Sequence, residues 1–256
     1  MTIPFEIQSN DEALLKKAKH IADEFVQPLM TDDIVSIVFL GGIARGYFDE
    51  SADIDIAVFK KKDREFPIKE KFLYVEGIEV QIWLSDYEDE LDANWDMSRR
   101  WTYTVCEIVH DTEDKISRLI AEKVPLQAHE RKWLMMSGFT LSEWYFNRLT
   151  DLWVQRGNLI SAQHMFNQGI TYFFDMLFGL NNELVADEKW RYYCVEKLPI
   201  LPVNFPARLQ EVMKLQDFTI EELTRRKTAF LALWEEMRPM VEKECGMTFE
   251  EMLEVV

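Results

Sequence analysis

Apolar and polar positions along this chain follow two periods, and the change from one to the other divides it. Residues about 11–27 carry Leu14, Leu15, Ala18, Ile21, Ala22 and Phe25 at the three-and-four spacing of an amphipathic helix, with Ser9 and Glu12 at capping-box spacing before it. Asp33–Leu40 then reads as a strand. Its run IVSIVFL is apolar nearly throughout, as in a central strand of a sheet. Gly41-Gly42 ends it, a short segment IARGYFDE follows, and ADIDIAVF predicts a second strand. Two further strand-like runs, KFLYV near 71–75 and IEVQIWL near 78–84, are separated by Glu76-Gly77 and predict a hairpin. After a stretch rich in Trp and Asp at 88–101, TYTVCEIVHD reads as a fifth strand and DTEDKISRLIAEK as a helix ending near Pro125.

Beyond Pro125 the alternation stops. Helices are predicted at about 129–156, 159–178, 183–197, 205–216 and 219–244, with a second capping-box pattern at Thr219 and Glu222. Apolar residues cover more than one face of the first two, as they do inside a bundle. Trp133, Trp144, Tyr145, Trp153, Phe166, Phe173 and Phe174 lie there at helical spacing and read as core before they read as a stacking surface. The fold class is therefore α+β. Residues 1–125 form a mixed, about five-stranded sheet with flanking helices, and 126–256 form an all-α helical bundle.

Composition narrows the function classes. The 256 residues are 48% hydrophobic and 29% charged, enough for a sizeable core. No apolar run is long enough to span a membrane, and the N-terminal residues lack a signal-peptide layout. Cys106, Cys194 and Cys245 are far apart and suit reduced thiols in a cytoplasmic protein; they fit no zinc spacing. The four histidines are scattered and pair with nothing at ligand or triad spacing. A net charge of -17, from 29 basic and 46 acidic residues, repels phosphate backbones and argues against a broad nucleic-acid surface. It is compatible with a cationic small molecule, although solubility is its plainer meaning.

The chemistry concentrates in Gly41-Gly42-Ile43-Ala44-Arg45-Gly46 and Ser51-Ala52-Asp53-Ile54-Asp55-Ile56. On a strand, Asp53 and Asp55 share a face while Ile54, Ile56 and Val58 take the buried one. Two neighbouring carboxylates repel unless a cation lies near, and oxygen-only ligands suit magnesium or manganese. In Ile78-Glu79-Val80-Gln81-Ile82 the same alternation buries Ile78, Val80 and Ile82 and turns Glu79 and Gln81 outward. If that strand lies near the aspartate strand, Glu79 becomes a third carboxylate. Gly41 and Gly42 permit a tight turn and close approach of backbone N–H groups to phosphate. Arg45 could reach the same phosphates and Ser51 could donate a hydroxyl hydrogen bond.

An apolar strand, GG, a short helix with ARG, S-x-D-h-D and then a later h-[DE]-h strand together resemble the DNA-polymerase-β-like nucleotidyltransferase superfamily. The order of an α/β domain and a helical domain resembles the kanamycin- and lincosamide-type antibiotic nucleotidyltransferases and their bacterial relatives; LFGLNNELVADEKW is a weaker match in the second domain. The resemblance implies a metal-dependent transfer of a nucleoside monophosphate, AMP from ATP or the equivalent from another NTP, to a small-molecule hydroxyl with release of pyrophosphate. It makes Asp53 and Asp55 the ligands for Mg2+ or Mn2+, with Glu79 as third carboxylate. It places the triphosphate on Gly41 and Gly42, the latter standing where many relatives have Ser. Glu143 in the first bundle helix matches a general base, and Lys189, beside Trp190, a triphosphate-reaching lysine. The acceptor is expected between the domains, and a homodimer sharing its site is open. The rival readings are a protein-modifying nucleotidyltransferase of the toxin–antitoxin kind and a nucleotide-binding regulatory module without turnover.

Overall fold

The computed structural model describes residues 6–256, which fall into two compact units that divide between Pro125 and Leu126. The first is built on a mixed five-stranded sheet. Strands β1 (Ile34–Leu40), β2 (Ile54–Lys60), β3 (Phe72–Val75), β4 (Ile78–Asp86) and β5 (Glu107–Asp111) lie in the order β3-β4-β2-β1-β5. β1 runs antiparallel to both neighbours, β2 and β4 are parallel, and β3 and β4 form an antiparallel hairpin. β1 is buried along its whole length between two neighbours, which is why its run is apolar on both faces. The hairpin turns at Glu76 and Gly77, both at positive φ (49° and 84°), the conformation a two-residue turn needs to follow the strand twist.

Each sheet face has its own core. Helix α1 (Glu12–Val26) lays Ala18, Ile21, Ala22 and Val26 on one face, against Ile37 and Phe39 of β1, Ile54, Ile56 and Val58 of β2, and Val80 and Ile82 of β4. On the opposite face Val38, Leu40, Ala57 and Phe59 pack with Trp95, Tyr103, Ile116 and Leu119. This second layer comes from the short helices α3 (Tyr87–Asp92), α4 (Met97–Thr102) and α5 (Lys115–Lys123) and the turns between them. On β2 it covers Ala57 and Phe59, while Asp55, earlier on the same face, is only half-buried. The carboxylates therefore occupy the less covered end of an otherwise buried strand.

Two local expectations for this unit change. The cap of α1 is Asp11, whose side chain accepts from Ala13 and Leu14 N–H groups; Ser9 instead donates to Asp49, 2.8 Å away. The fifth strand is shorter than TYTVCEIVHD. Asp96 caps α4 by accepting from the Arg99 N–H, and Tyr103 turns into the core beside Trp95 (4.7 Å between ring centres), so extended pairing begins only at Glu107.

The second unit is built of helices and the turns between them. α6 (Ala128–Glu143) continues through a π-turn (Trp144–Leu149) into α7 (Thr150–Gln155). α8 (Leu159–Leu180), α9 (Arg191–Val195), α10 (Phe205–Met213), α11 (Ile220–Cys245) and α12 (Phe249–Leu253) follow. α6 and α8 meet backbone to backbone. A Cβ on Gly138 would lie 2.6 Å from the Met176 nitrogen, and one on Gly169 2.6 Å from the Phe146 nitrogen. Phe139, Phe146, Phe166, Phe173, Phe174 and Phe230 are fully buried, and Phe139 stacks on Trp234 at 4.1 Å. The aromatic expectation holds for the phenylalanines and fails for Trp133 and Trp144, which are exposed.

The helix expected over 183–197 shrinks to Arg191–Val195. Asn182 takes a left-handed φ of 56° after α8, and the chain stays irregular through the buried residues Leu184, Val185 and Ala186. At α11, Thr219 accepts from the Glu222 N–H, but the Glu222 carboxylate turns to Gln216 and Arg225, so the capping box is half formed.

Candidate functional site

The parallel register pairs Ile54 with Val80 and Asp55 with Gln81, which brings the start of β2 beside the start of β4. Gln81 and Trp83 share a face of β4, and each donates to one aspartate. Gln81 Nε2 donates to Asp53 Oδ2, and Trp83 Nε1 donates to Asp55 Oδ1 at 3.1 Å. Gln81 Nε2 also donates to Glu79 Oε1 at 3.0 Å, so one amide nitrogen tethers Asp53 and Glu79. From β3, Tyr74 donates its hydroxyl to Glu79 Oε2 at 2.6 Å, and that bond raises the Tyr74 pKa above its ordinary value. Asp53, Asp55 and Glu79 are thus gathered along one face by the β3–β4 hairpin. The donors Tyr74, Gln81 and Trp83 were not singled out as site residues by sequence; strand parity with Glu79 was the signal for Gln81 and Trp83, whereas Tyr74 comes from β3, where the hairpin register sets it opposite Glu79.

Gly41 and Gly42 open helix α2 (Gly41–Arg45) directly after β1. Gly41 has φ +61°, and a Cβ there would lie 2.3 Å from Asp55 Oδ2. At Gly42 a Cβ would lie 2.7 Å from the Tyr47 carbonyl oxygen, whose own N–H donates to Gly42 O at 2.9 Å. The space both glycines leave is therefore filled by the protein itself, by a carboxylate at one and by backbone at the other. A serine at Gly42, as in many of the resembled enzymes, would need the turn at Tyr47 to move.

The segment joining α2 to β2 is pinned by Asp49. It accepts from Tyr47 and Ser9 hydroxyls and from the Ser51 N–H, which together hold its pKa below the usual carboxylate range; burial, then Asp49 itself, raises that of Tyr47. Ser51 is exposed. Arg45 lies over the Trp101 ring at 4.1 Å and donates to the Trp101 carbonyl at 3.1 Å. Beside the carboxylate face a cavity of about 450 Å³ opens between α1, this segment and the hairpin turn. Leu14, Phe48 and Ile78 give it apolar wall, and Asp49, Glu50, Asp53, Glu76 and Glu79 give it acidic wall. Its one lysine, Lys17, is paired with Glu76 at 3.3 Å.

Glu143 and Lys189 belong to the second unit. Glu143 is buried at the end of α6 and accepts from Asn147 Nδ2 (2.8 Å) and Arg148 Nε (3.2 Å). Lys189 is exposed in the turn before α9, its N–H donating to Asp187. Among the described residues no three His, Cys, Asp or Glu side chains converge closely enough, as they stand, to hold a metal ion. The chemistry of the gathered set is nevertheless that of a hard cation's ligands: three carboxylates, no thiol and no imidazole. Among the same residues no helix is long and apolar enough to cross a membrane.

No family model matches the chain, and no curated protein matches it. Among solved structures it is similar to the crystal structure of a nucleotidyltransferase-like protein from Exiguobacterium sibiricum. The two share 11% sequence identity over 90% of this chain and 78% of the other, with a TM-score of 0.47.

Proposed function

We propose that the first unit is a nucleotidyltransferase domain that moves a nucleoside monophosphate, AMP from ATP, to a hydroxyl of a small molecule. The observation that carries this reading is the gathering of Asp53, Asp55 and Glu79 on one sheet face beside the Gly41-Gly42 turn. Three carboxylates on one sheet face are not needed to bind a nucleotide; nucleotidyl transfer uses such a set to hold its cations. Asp53 and Asp55 would be the Mg2+ or Mn2+ ligands, with Glu79 beside them. When bound, such ions neutralise charge on the transferring phosphoryl group and activate the attacking oxygen.

The chain's own residues supply position and proton transfer. The acidic cavity next to Asp53 and Glu79 has the size of a small-molecule site, and it favours a small acceptor over a protein side chain. Its five carboxylates suit an acceptor carrying positive charge. Glu79, which lines it, takes the acceptor's hydroxyl proton as the new oxygen–phosphorus bond forms and the bond to pyrophosphate breaks. Glu143 is the second candidate base, and its carboxylate must first give up Asn147 and Arg148. Positioning of the two reactants accounts for most of the acceleration in reactions of this kind. Arg45, Ser51 and Lys189 keep the phosphate-contacting roles that the resemblance implies.

The test is transfer of label from [α-32P]ATP to a panel of small hydroxylic acceptors with Mg2+. Wild type labels an acceptor and releases pyrophosphate, while Asp53→Asn and Asp55→Asn do neither. Labelling that survives both substitutions sinks this reading.

A further inference from the structure

In-line displacement puts the attacking and leaving oxygens on opposite sides of the phosphorus. The sheet order β3-β4-β2-β1 turns that requirement into a direction. The Gly41-Gly42 turn follows β1, Asp53 and Asp55 lie where β2 begins, and Glu79 lies on β4. With the triphosphate on the turn, pyrophosphate leaves toward β1 and the acceptor approaches over β4 and β3. Strands lie about 4.8 Å apart, so β3 is roughly 10 Å from the aspartate strand, one small ring beyond Glu79.

The side chains that stand there are aromatic. The hairpin register sets Tyr74 opposite Glu79 and Phe72 opposite Gln81, so both rings share the carboxylate face. Tyr74 is 72% exposed and Phe72 54%, so neither ring is held by the core. Tyr74 also lines the acidic cavity, its hydroxyl donating to Glu79 at 2.6 Å. The cavity wall thus continues onto two open rings. The neighbouring Trp83 is already engaged, its Nε1 on Asp55 and the Lys71 amine 3.8 Å over its ring. Adjacent exposed rings that extend a cavity mark a face for a ligand. The chemistry is divided between carboxylates, which suit a positive charge, and rings, which suit a flat apolar group.

We propose that Phe72 and Tyr74 form a stacking subsite for the acceptor, and that the acceptor is a hydroxyl compound carrying both an amine and a planar ring. Its position rests on the transfer reaction proposed above, since the in-line path fixes the acceptor's side. The amine meets the acidic wall of Asp49, Glu50, Asp53 and Glu76, the hydroxyl comes to Glu79, and the ring lies on β3. Stacking of aromatic rings strengthens binding by up to about tenfold beyond the area it buries.

The test is an NMR titration of the full chain, without ATP or metal, with two matched probes. They are 2-amino-1-phenylethanol and 1-amino-2-propanol, which has a methyl in place of the phenyl. Wild type should bind the phenyl probe about tenfold more tightly. Phe72→Ala and Tyr74→Ala should each reduce that preference, and together abolish it, with thermal unfolding unchanged. Tyr74→Phe keeps the ring and should keep the preference, which a role confined to the Tyr74 hydroxyl would not allow. Trp133→Ala removes an equally exposed ring from the second unit and should change nothing. Equal binding of the two probes, a preference that survives the double substitution, or one that falls with Trp133→Ala would overturn the subsite. So would adenosine displacing the phenyl probe from wild type, which puts the nucleobase on these rings, or a dimer in sedimentation that Phe72→Ala dissociates, which puts a second copy there. A chain that shows the ring preference but transfers no label from [α-32P]ATP would sink the transfer reading and leave the ring site. Label transfer without any ring preference would do the reverse.

Discussion

Replacing Gly41 by alanine imposes two separable penalties. At φ +61° the backbone is left-handed, where a Cβ costs about 1–2 kcal/mol. The new methyl would also stand 2.3 Å from Asp55 Oδ2, too close for any real contact. Asp55 can clear it only by turning its carboxylate, which gives up the bond from Trp83 Nε1. A hydrogen bond to a charged acceptor contributes about 1.5–3 kcal/mol, and about 1 is reasonable at this half-exposed place. The total for Gly41→Ala is about 2–3 kcal/mol. Gly46 provides the comparison. It has φ +77° with nothing within 4 Å of an added Cβ, so Gly46→Ala carries the backbone cost alone, about 1 kcal/mol. Urea unfolding followed by circular dichroism measures both. In an Asp55→Ala background the obstruction is gone, and Gly41→Ala should then cost no more than Gly46→Ala. Equal costs for the two glycines in the wild-type background, or a Gly41→Ala cost that Asp55→Ala leaves unchanged, would refute the reasoning.

Three further outcomes follow from the same geometry. Gly138→Ala puts a methyl 2.6 Å from the Met176 nitrogen and 2.7 Å from the Tyr172 oxygen, both backbone, so α6 and α8 must part; urea unfolding should show a loss of about 1–3 kcal/mol. Burial raises the Asp175 carboxyl from 3.8 to about 6 despite Arg191, and its Oδ1 has no hydrogen-bond partner. Because the folded-state value is the higher one, Asp175 favours folding while protonated, and that advantage fades as pH rises through about 6. Asp175→Asn should therefore stabilise the protein at pH 7.5, by up to about 3 kcal/mol, and much less at pH 4, as thermal unfolding at the two pH values would show. Glu143→Gln should leave labelling from [α-32P]ATP within about threefold of wild type if Glu79 is the base, whereas Glu79→Gln should lower it about a hundredfold or more.

Local patterns were legible and long-range partners were not. The alternation in DIDIAV and IEVQIW separates buried isoleucines and valines from outward carboxylates with no knowledge of the sheet. Glu76-Gly77 marks its turn because only certain residues accept two consecutive positive φ values. That β4 lies parallel to β2, and hence that Gln81 bridges Asp53 and Glu79, depends on a pairing across 26 residues that alternation cannot specify. Ser9 shows the same limit. Its spacing to Glu12 suits a cap, but its hydroxyl goes to Asp49, and the neighbouring Asp11 caps the helix instead. Residues 183–190 carry helix-compatible residues, yet Asn182 takes a left-handed φ of 56° after α8 and the chain re-enters a helix only at Arg191. The exposure of Trp133 and Trp144 went unrecognised because helical spacing alone does not say which face has a neighbour.

The most direct measurement is an anomalous-difference map from crystals grown with Mn2+ and a non-hydrolysable ATP analogue. The account predicts a manganese peak roughly 2.1 Å from carboxylate oxygens of both Asp53 and Asp55, with the α-phosphate on the same ion. A bound nucleotide whose manganese lies elsewhere, with neither aspartate coordinated, would contradict it.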